Sequence, residues 1–165
     1  MVNSRLIEIY GNPDTNGDGQ ADLKWEVANI VRIKPPYPMW WGWYDEPVPV
    51  VTMKIHRKCA DSLEDALTMV GDRYTPEERK WYGLDQCGGT YSSTLRTVRG
   101  SENVLSTHCY GCAIDLSTII NRLGRKYDES QRMMPREVMA IFKKLGWTNG
   151  AFWGRPDGQH FQKVP

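Results

Sequence analysis

A chain of 165 residues, 40% apolar and 25% charged, has the length and make-up of one soluble globular domain able to bury roughly two thirds of its unfolded surface. Its net charge of +1, from 21 basic and 20 acidic side chains, excludes the basic excess by which nucleic-acid binders hold phosphates. No apolar stretch approaches the roughly 20 residues of a membrane span, and Met1-Val2-Asn3-Ser4-Arg5 leads into no secretory core, so the expectation is a protein made in the cytoplasm without a signal peptide.

The first fifty residues are dense in Gly, Pro, Asp and Asn and read as an irregular wrap, with one short helix near Leu23 to Arg32. Within them Asp14, Asn16 and Asp18 fall at positions 1, 3 and 5 of a calcium loop with Gly19 at position 6, which raises a Ca2+ site. Trp25, however, stands where the bidentate Glu belongs, and Asn-Gly and Asp-Gly pairs also suit a plain turn. Trp40, Trp41, Trp43 and Tyr44 crowd beside Pro35, Pro36 and Pro38, as either a capped core edge or a sticky surface.

From Val51 the pattern becomes regular. Alternation over Val51 to His56 predicts a half-buried strand. Leu63, Ala66, Leu67 and Val70 predict a helix, with Ser62 and Asp65 resembling a capping box and Gly71 as its stop. Thr75-Pro76-Glu77-Glu78 starts a second helix that ends near Gly83. Gly88-Gly89 and Tyr91 to Thr94 indicate turns or a strand edge, and Cys112 to Ser117 reads as a strand. A last helix opens at Pro135, presents Val138, Ile141, Phe142 and Leu145 on one face and stops at Gly146. The class is mixed α+β, with residues 1–50 as an extension packed on the same domain as a 51–165 core.

Chemistry concentrates in two places. His108 and Asp115 are both strong zinc ligands, and Gly111 between them permits a sharp turn. On a strand over 112–117, Cys112, Ile114 and Leu116 face one side, and Asp115 the other beside the small Ala113. Near the C-terminus, Asp157 precedes His160 by three residues, a placement that suits a proton-transfer acid beside a metal-binding imidazole. Two His and one Asp leave a tetrahedral zinc one open position, the pattern of a catalytic site.

The string formed by Ser106, His108, Gly111, Ala113 and Asp115, with the later Asp157, His160 and Phe161, resembles the VanY-type D-alanyl-D-alanine carboxypeptidase and L-alanyl-D-glutamate endopeptidase zinc metallopeptidases, and looks closest to their phage endolysin-like branch. Further matches at Gly88-Gly89, Arg96, Arg99-Gly100-Ser101, Leu105, Asn121 and Pro135 to Trp147 carry the likeness from about His56 to Gln162. The resemblance implies a small antiparallel sheet flanked by helices, as in DD-peptidases and hedgehog-like domains. It implies one Zn2+ held by His108, Asp115 and His160, with Asp157 as general acid/base, and Arg96 and Ser106 as substrate-binding residues. The implied activity is L-alanyl-D-glutamate endopeptidase cleavage of the peptidoglycan stem peptide; with no signal peptide, the expectation is a monomer released through a holin or carried by a virion. The alternatives are a D-alanyl-D-alanine carboxypeptidase or dipeptidase and, in another class, a non-catalytic wall-binding or phage tail structural protein. The chain departs from the family at Asn149-Gly150-Ala151-Phe152-Trp153, where many members carry Trp-Gly-Gly-x-Trp, and in Cys109 and Cys112, which with Cys59 and Cys87 raise a separate structural zinc site.

Overall fold

A computed structural model describes residues 2–101 and 103–164. Helix α1 (Val2–Tyr10) buries Leu6 and Tyr10. A turn-rich loop then leads to α2 (Leu23–Asn29), which buries Trp25. The sequence pattern carried this helix on to Arg32. Instead the Asn29 amide donates to the Trp25 carbonyl, and the β-branched Ile30, Val31 and Ile33 enter strand β1 (Ile30–Ile33). The helix α1, absent from the sequence reading, rests on two large apolar residues whose burial depends on distant partners.

Strand β2 (Trp40–Trp41) is followed by β3 (Met53–His56), which pairs antiparallel with β1 in the register Ile30 opposite His56. Helix α3 (Arg57–Arg73) comes next, then α4 (Pro76–Tyr82) and strand β4 (Gln86–Gly89). Strand β5 (Ala113–Leu116), helix α5 (Arg136–Lys144), strand β6 (Thr148–Gly150) and strand β7 (Asp157–Gln162) complete the order. The main sheet runs β2-β4-β5-β7-β6, antiparallel except for the parallel β2–β4 pair at one edge, so the α+β class and the small helix-flanked sheet are present.

One apolar cluster joins the two ends of the chain. Leu6, Tyr10, Tyr37 and Met39 pack with α3, with Ile114 and Leu116 of β5, and with Phe142 and Phe161. The rings of Phe142 and Phe161 lie 4.2 Å apart, which fixes α5 over β7 and so sets the height of the residues beside Phe161. The Trp-rich segment divides between the two readings it allowed. Trp41 packs partly on the core, while Trp43 and Tyr44 are exposed and the Trp43 ring lies parallel to Trp41.

Two details of α3 differ from the sequence pattern. Its cap is His56, whose Nδ1 accepts from the Lys58 N–H at 3.1 Å, and not Ser62. Ser62 lies one turn inside, donating to the Cys59 carbonyl and accepting from the Trp147 indole and the Lys163 ammonium, so it ties α3 to the C-terminal segment. Gly71 does not stop the helix. A Cβ there would come within 2.9 Å of the Tyr37 ring, so its bareness makes room for a core aromatic.

His56 is fully buried, its Nε2 faces the Tyr10 carbonyl at 3.2 Å, and its ring meets the Tyr10 ring edge-on. Nε2–H therefore donates while Nδ1 accepts, a pair of contacts that only the neutral ring can make. Burial lowers its pKa from 6.5 to about 4, the Tyr10 carbonyl opposing and the Lys58 and Arg57 charges assisting. The folded pKa lies below the unfolded one, so the stabilisation is complete above pH 6.5 and is lost as the pH falls through about 4. Chemical unfolding of the parent and of His56→Asn at pH 7 and pH 4 should show about 3 kcal/mol more acid destabilisation in the parent. Equal pH dependence in the two proteins would contradict this.

Candidate metal centre

His108 sits on a single 3-10 turn, Thr107–Tyr110, that Ser106 caps by accepting from the His108 N–H at 3.4 Å. Gly111 closes the turn at φ 65°, and a Cβ there would lie 2.8 Å from the His56 backbone nitrogen, so both the positive φ and the close approach require glycine. The Gly111 carbonyl accepts from that same nitrogen, which docks the turn on β3. His108 then donates from Nδ1 to the Thr90 carbonyl at 2.7 Å, leaving Nε2 to face the site.

Asp115 lies on β5 between Gly89 of β4 and His160 of β7, its register partners on the two sides. The strand alternates as its sequence predicts, with Cys112, Ile114 and Leu116 in the core and Asp115 turned away from it. A Cβ on Gly88 would meet the Asp115 Cβ at 2.8 Å, so this glycine gives the carboxylate its space. Asp115 Oδ1 lies 3.3 Å from His108 Nε2 and 2.8 Å from His160 Nδ1. The two imidazole rings are 5.0 Å apart, edge to face.

Ligand atoms of His108, Asp115 and His160 all fall within 4.8 Å of one another and can hold a metal ion. Among the described residues this is the one such group of three or more His, Cys, Asp or Glu. The four cysteines do not form another. All are buried and unpaired, Cys59, Cys87 and Cys112 in the apolar cluster and Cys109 with its sulfur against the Arg96 backbone. In the Asp14–Asp18 loop, Asp14 accepts from the Gly17 and Gly19 amides and Asp18 from that of Gln20. Trp25, at the twelfth position, is buried with its indole donating to the Tyr10 carbonyl, so that position supplies no bidentate acid.

Electrostatics follow from the burial of the trio. Burial alone would raise the Asp115 pKa, but hydrogen bonds and charge from His108 and His160 outweigh it and hold the carboxyl below the usual carboxylate range. Burial would lower His160, and the Asp115 carboxylate reverses that and raises it.

Asp157 reaches the same cleft by an irregularity. On a regular strand residues 157 and 160 point to opposite faces, but the β6–β7 pairing jumps from Asn149 opposite Phe161 to Gly150 opposite Asp157. Asn149 fastens this bulge. Its amide donates to the carbonyls of Gly158 and His160, and its Oδ1 accepts from the Ala151 N–H. A Cβ on Gly150 would come within 2.6 Å of the Asp157 carbonyl, so this bulge needs a glycine beside Asn149. Asp157 Oδ1 is buried with no hydrogen-bond partner among the described residues. Burial raises its pKa, with the Asp115 charge adding to the rise and His160 and a hydrogen bond from Gln159 opposing it.

These groups line a cleft of about 800 Å³ whose other walls include Arg96, Arg99, Trp153 and Arg155. Arg96 and Ser106 both border it, though the Ser106 hydroxyl is already engaged as the cap of the 3-10 turn. Arg155 donates to the Arg99 carbonyl at 3.1 Å and so joins two loops across the rim. Sequence reasoning passed over Arg155 and Thr90 and met Asn149 only as a departure from a motif. Thr90 acts through a carbonyl that any residue would supply, and Asn149 through a bulge that no residue pattern announces.

Two imidazoles and a carboxylate, with a second acid beside them whose Oδ1 has no partner among the described residues, form a donor set suited to zinc with one position open. Residues 99–163 match a family model described as D-alanyl-D-alanine carboxypeptidase, a stretch that holds His108, Asp115, Asp157 and His160 but not Arg96. No curated protein and no solved structure was found to match the chain.

Proposed function

We propose that this protein is a zinc-dependent peptidase that hydrolyses a peptide bond in the stem peptide of peptidoglycan. The observation that carries the reading is the convergence of His108, Asp115 and His160, from segments distant in sequence, onto one ligand position in an open cleft. The match of residues 99–163 to a D-alanyl-D-alanine carboxypeptidase model supports the same chemistry.

A zinc ion held by His108, Asp115 and His160 would bring the pKa of a bound water towards neutrality and polarise the scissile carbonyl. Asp157 Oδ1 accepts a proton in the attack and delivers it to the leaving amine, the task for which a buried carboxyl with a raised pKa is suited. Arg96, at the cleft wall, pairs a planar guanidinium with a substrate carboxylate through two parallel hydrogen bonds, and Ser106 stands beside it. Arg99 and Arg155 extend the cationic rim, in keeping with a carboxylate-rich peptide.

Within the stem we assign the L-alanyl-D-glutamate bond, following the endolysin-like character of the metal motif, and place the enzyme in bacteriophage-type lysis of the wall. The description of the matching family model favours a second reading, removal of the terminal D-alanine. A non-catalytic wall-binding or tail protein is disfavoured by Asp157. A buried, unpartnered carboxylate oxygen costs about 1–3 kcal/mol or more, a burden that a mere binding surface has no reason to carry. No described helix is long and apolar enough to cross a membrane.

The test is turbidity loss of purified peptidoglycan with the protein loaded with zinc, stripped by chelator and reloaded, followed by mass spectrometry of the released fragments. Clearing should vanish on chelation and return with zinc. New alanine carboxyl and glutamate amino ends identify the endopeptidase, free D-alanine identifies the carboxypeptidase, and an unchanged polymer would refute the peptidase reading.

A further inference from the structure

His160 presents Nδ1 to Asp115, and its other ring nitrogen is held just as closely. Nε2 lies 3.1 Å from the Thr107 hydroxyl oxygen and 3.3 Å from the Gln162 side-chain oxygen. Thr107 belongs to the 3-10 turn that carries His108, and Gln162 lies two residues beyond His160 on the same face of β7. The register explains how Gln162 reaches back. Its partner on β5 is the small, fully buried Ala113, which leaves space for a long side chain to lean towards the imidazole. Neither residue belongs to the ligand trio, and both oxygens can accept a hydrogen bond.

We propose that Thr107 and Gln162 are positioning residues for the metal: their side-chain oxygens hold the Nε2–H of His160, so that Nδ1 is the nitrogen offered to the position shared with Asp115 Oδ1 and His108 Nε2. The inference rests on the metal-site reading above and extends it to residues outside the ligand set. Imidazole has two ring nitrogens, and a ligand is fixed in orientation and tautomer by the hydrogen bond that its other nitrogen makes. For His108 that task falls to the Thr90 carbonyl; for His160 the only acceptors that Nε2 meets within 3.5 Å among the described residues are these two side chains. Thr107 also links the two metal-binding segments, since its hydroxyl touches His160 while its neighbour is His108.

Zinc affinity can be measured on the full chain by competition with a chromophoric chelator, comparing the parent, the apolar pair Thr107→Val with Gln162→Leu, and the conservative pair Thr107→Ser with Gln162→Glu. The apolar pair should bind zinc about 10- to 100-fold more weakly, and the conservative pair, which keeps an acceptor at both places, should restore the parent affinity. Thermal unfolding of the metal-free proteins reports separately on folding. In the zinc-loaded parent, nitrogen–proton correlation spectra of the His160 ring should show the proton on Nε2, a readout that needs no variant to fold. Equal zinc affinity in the parent and the apolar pair, equal weakening in the apolar and conservative pairs, or a proton on Nδ1 of the loaded parent would each overturn the assignment while leaving the metal site standing. A parent protein that binds no zinc would overturn both.

Discussion

Replacing Asp157 with alanine is expected to leave zinc bound while lowering peptidoglycan turnover by between about a hundredfold and ten-thousandfold, the range ascribed to a positioned general acid/base. In barrier terms this is about 3–5 kcal/mol. The separation of the two effects follows from geometry. His108, Asp115 and His160 form the candidate ligand group, and Asp157 is outside it, opposite Gly150 where the β6–β7 register shifts and with Oδ1 unpartnered among the described residues. Asp157→Asn provides the matching control, because it keeps the side-chain volume and removes the titrating group. Similar losses in both variants assign the effect to proton transfer and not to packing. Steady-state rates on purified muropeptides, with metal content measured on the same samples, make the comparison. A folded, zinc-loaded Asp157→Ala protein working at the parental rate would remove Asp157 from the mechanism.

His108 and Asp115 of the candidate metal group were legible in the sequence because their signal is local. His108, Gly111, Ala113 and Asp115 lie within one turn-and-strand unit, where alternation alone turns Asp115 away from the core. The helices α3, α4 and α5 were legible for a similar reason, their apolar spacing and turn residues being intrinsic to each segment. Boundaries set by long-range contacts were not. His56 caps α3 because β1 and β3 bring it under the Tyr10 carbonyl, and nothing within residues 56–65 distinguishes it from Ser62. The whole of α1 depends on burying Leu6 and Tyr10 against residues far along the chain. The supports of the site were hidden in the same way. Thr90 contributes only a backbone carbonyl, Asn149 fixes a strand irregularity, and Gln162 reaches His160 from a position opposite the small Ala113. Sequence motifs thus report the residues that gather at the candidate metal centre, while the contacts around them come from tertiary register.

Asp115 is the candidate ligand whose loss should be felt most widely, since its Oδ1 is within reach of both imidazoles and it lies on the central strand of the sheet. Asp115→Ala is expected to abolish zinc binding and reduce hydrolysis to background. The thermal readout is independent of activity. Zinc at a thousandfold excess over its dissociation constant stabilises a native-state binder by about 4 kcal/mol, which for a chain of this size raises the melting temperature by roughly 8–16 °C. The parent should show this rise and the variant should not. In the metal-free protein the depressed pKa of Asp115 contributes stability that is present above its ordinary 3.8 and lost as the pH falls below it, so the variant should also show a weaker acid destabilisation in that range. The two measurements divide the roles of one carboxylate: the zinc-dependent rise reads its part in the metal centre, and the acid limb reads its hydrogen bonds from His108 and His160. A zinc-dependent rise of the same size in Asp115→Ala would show that the ion is held elsewhere, and with it the three-ligand centre would fall.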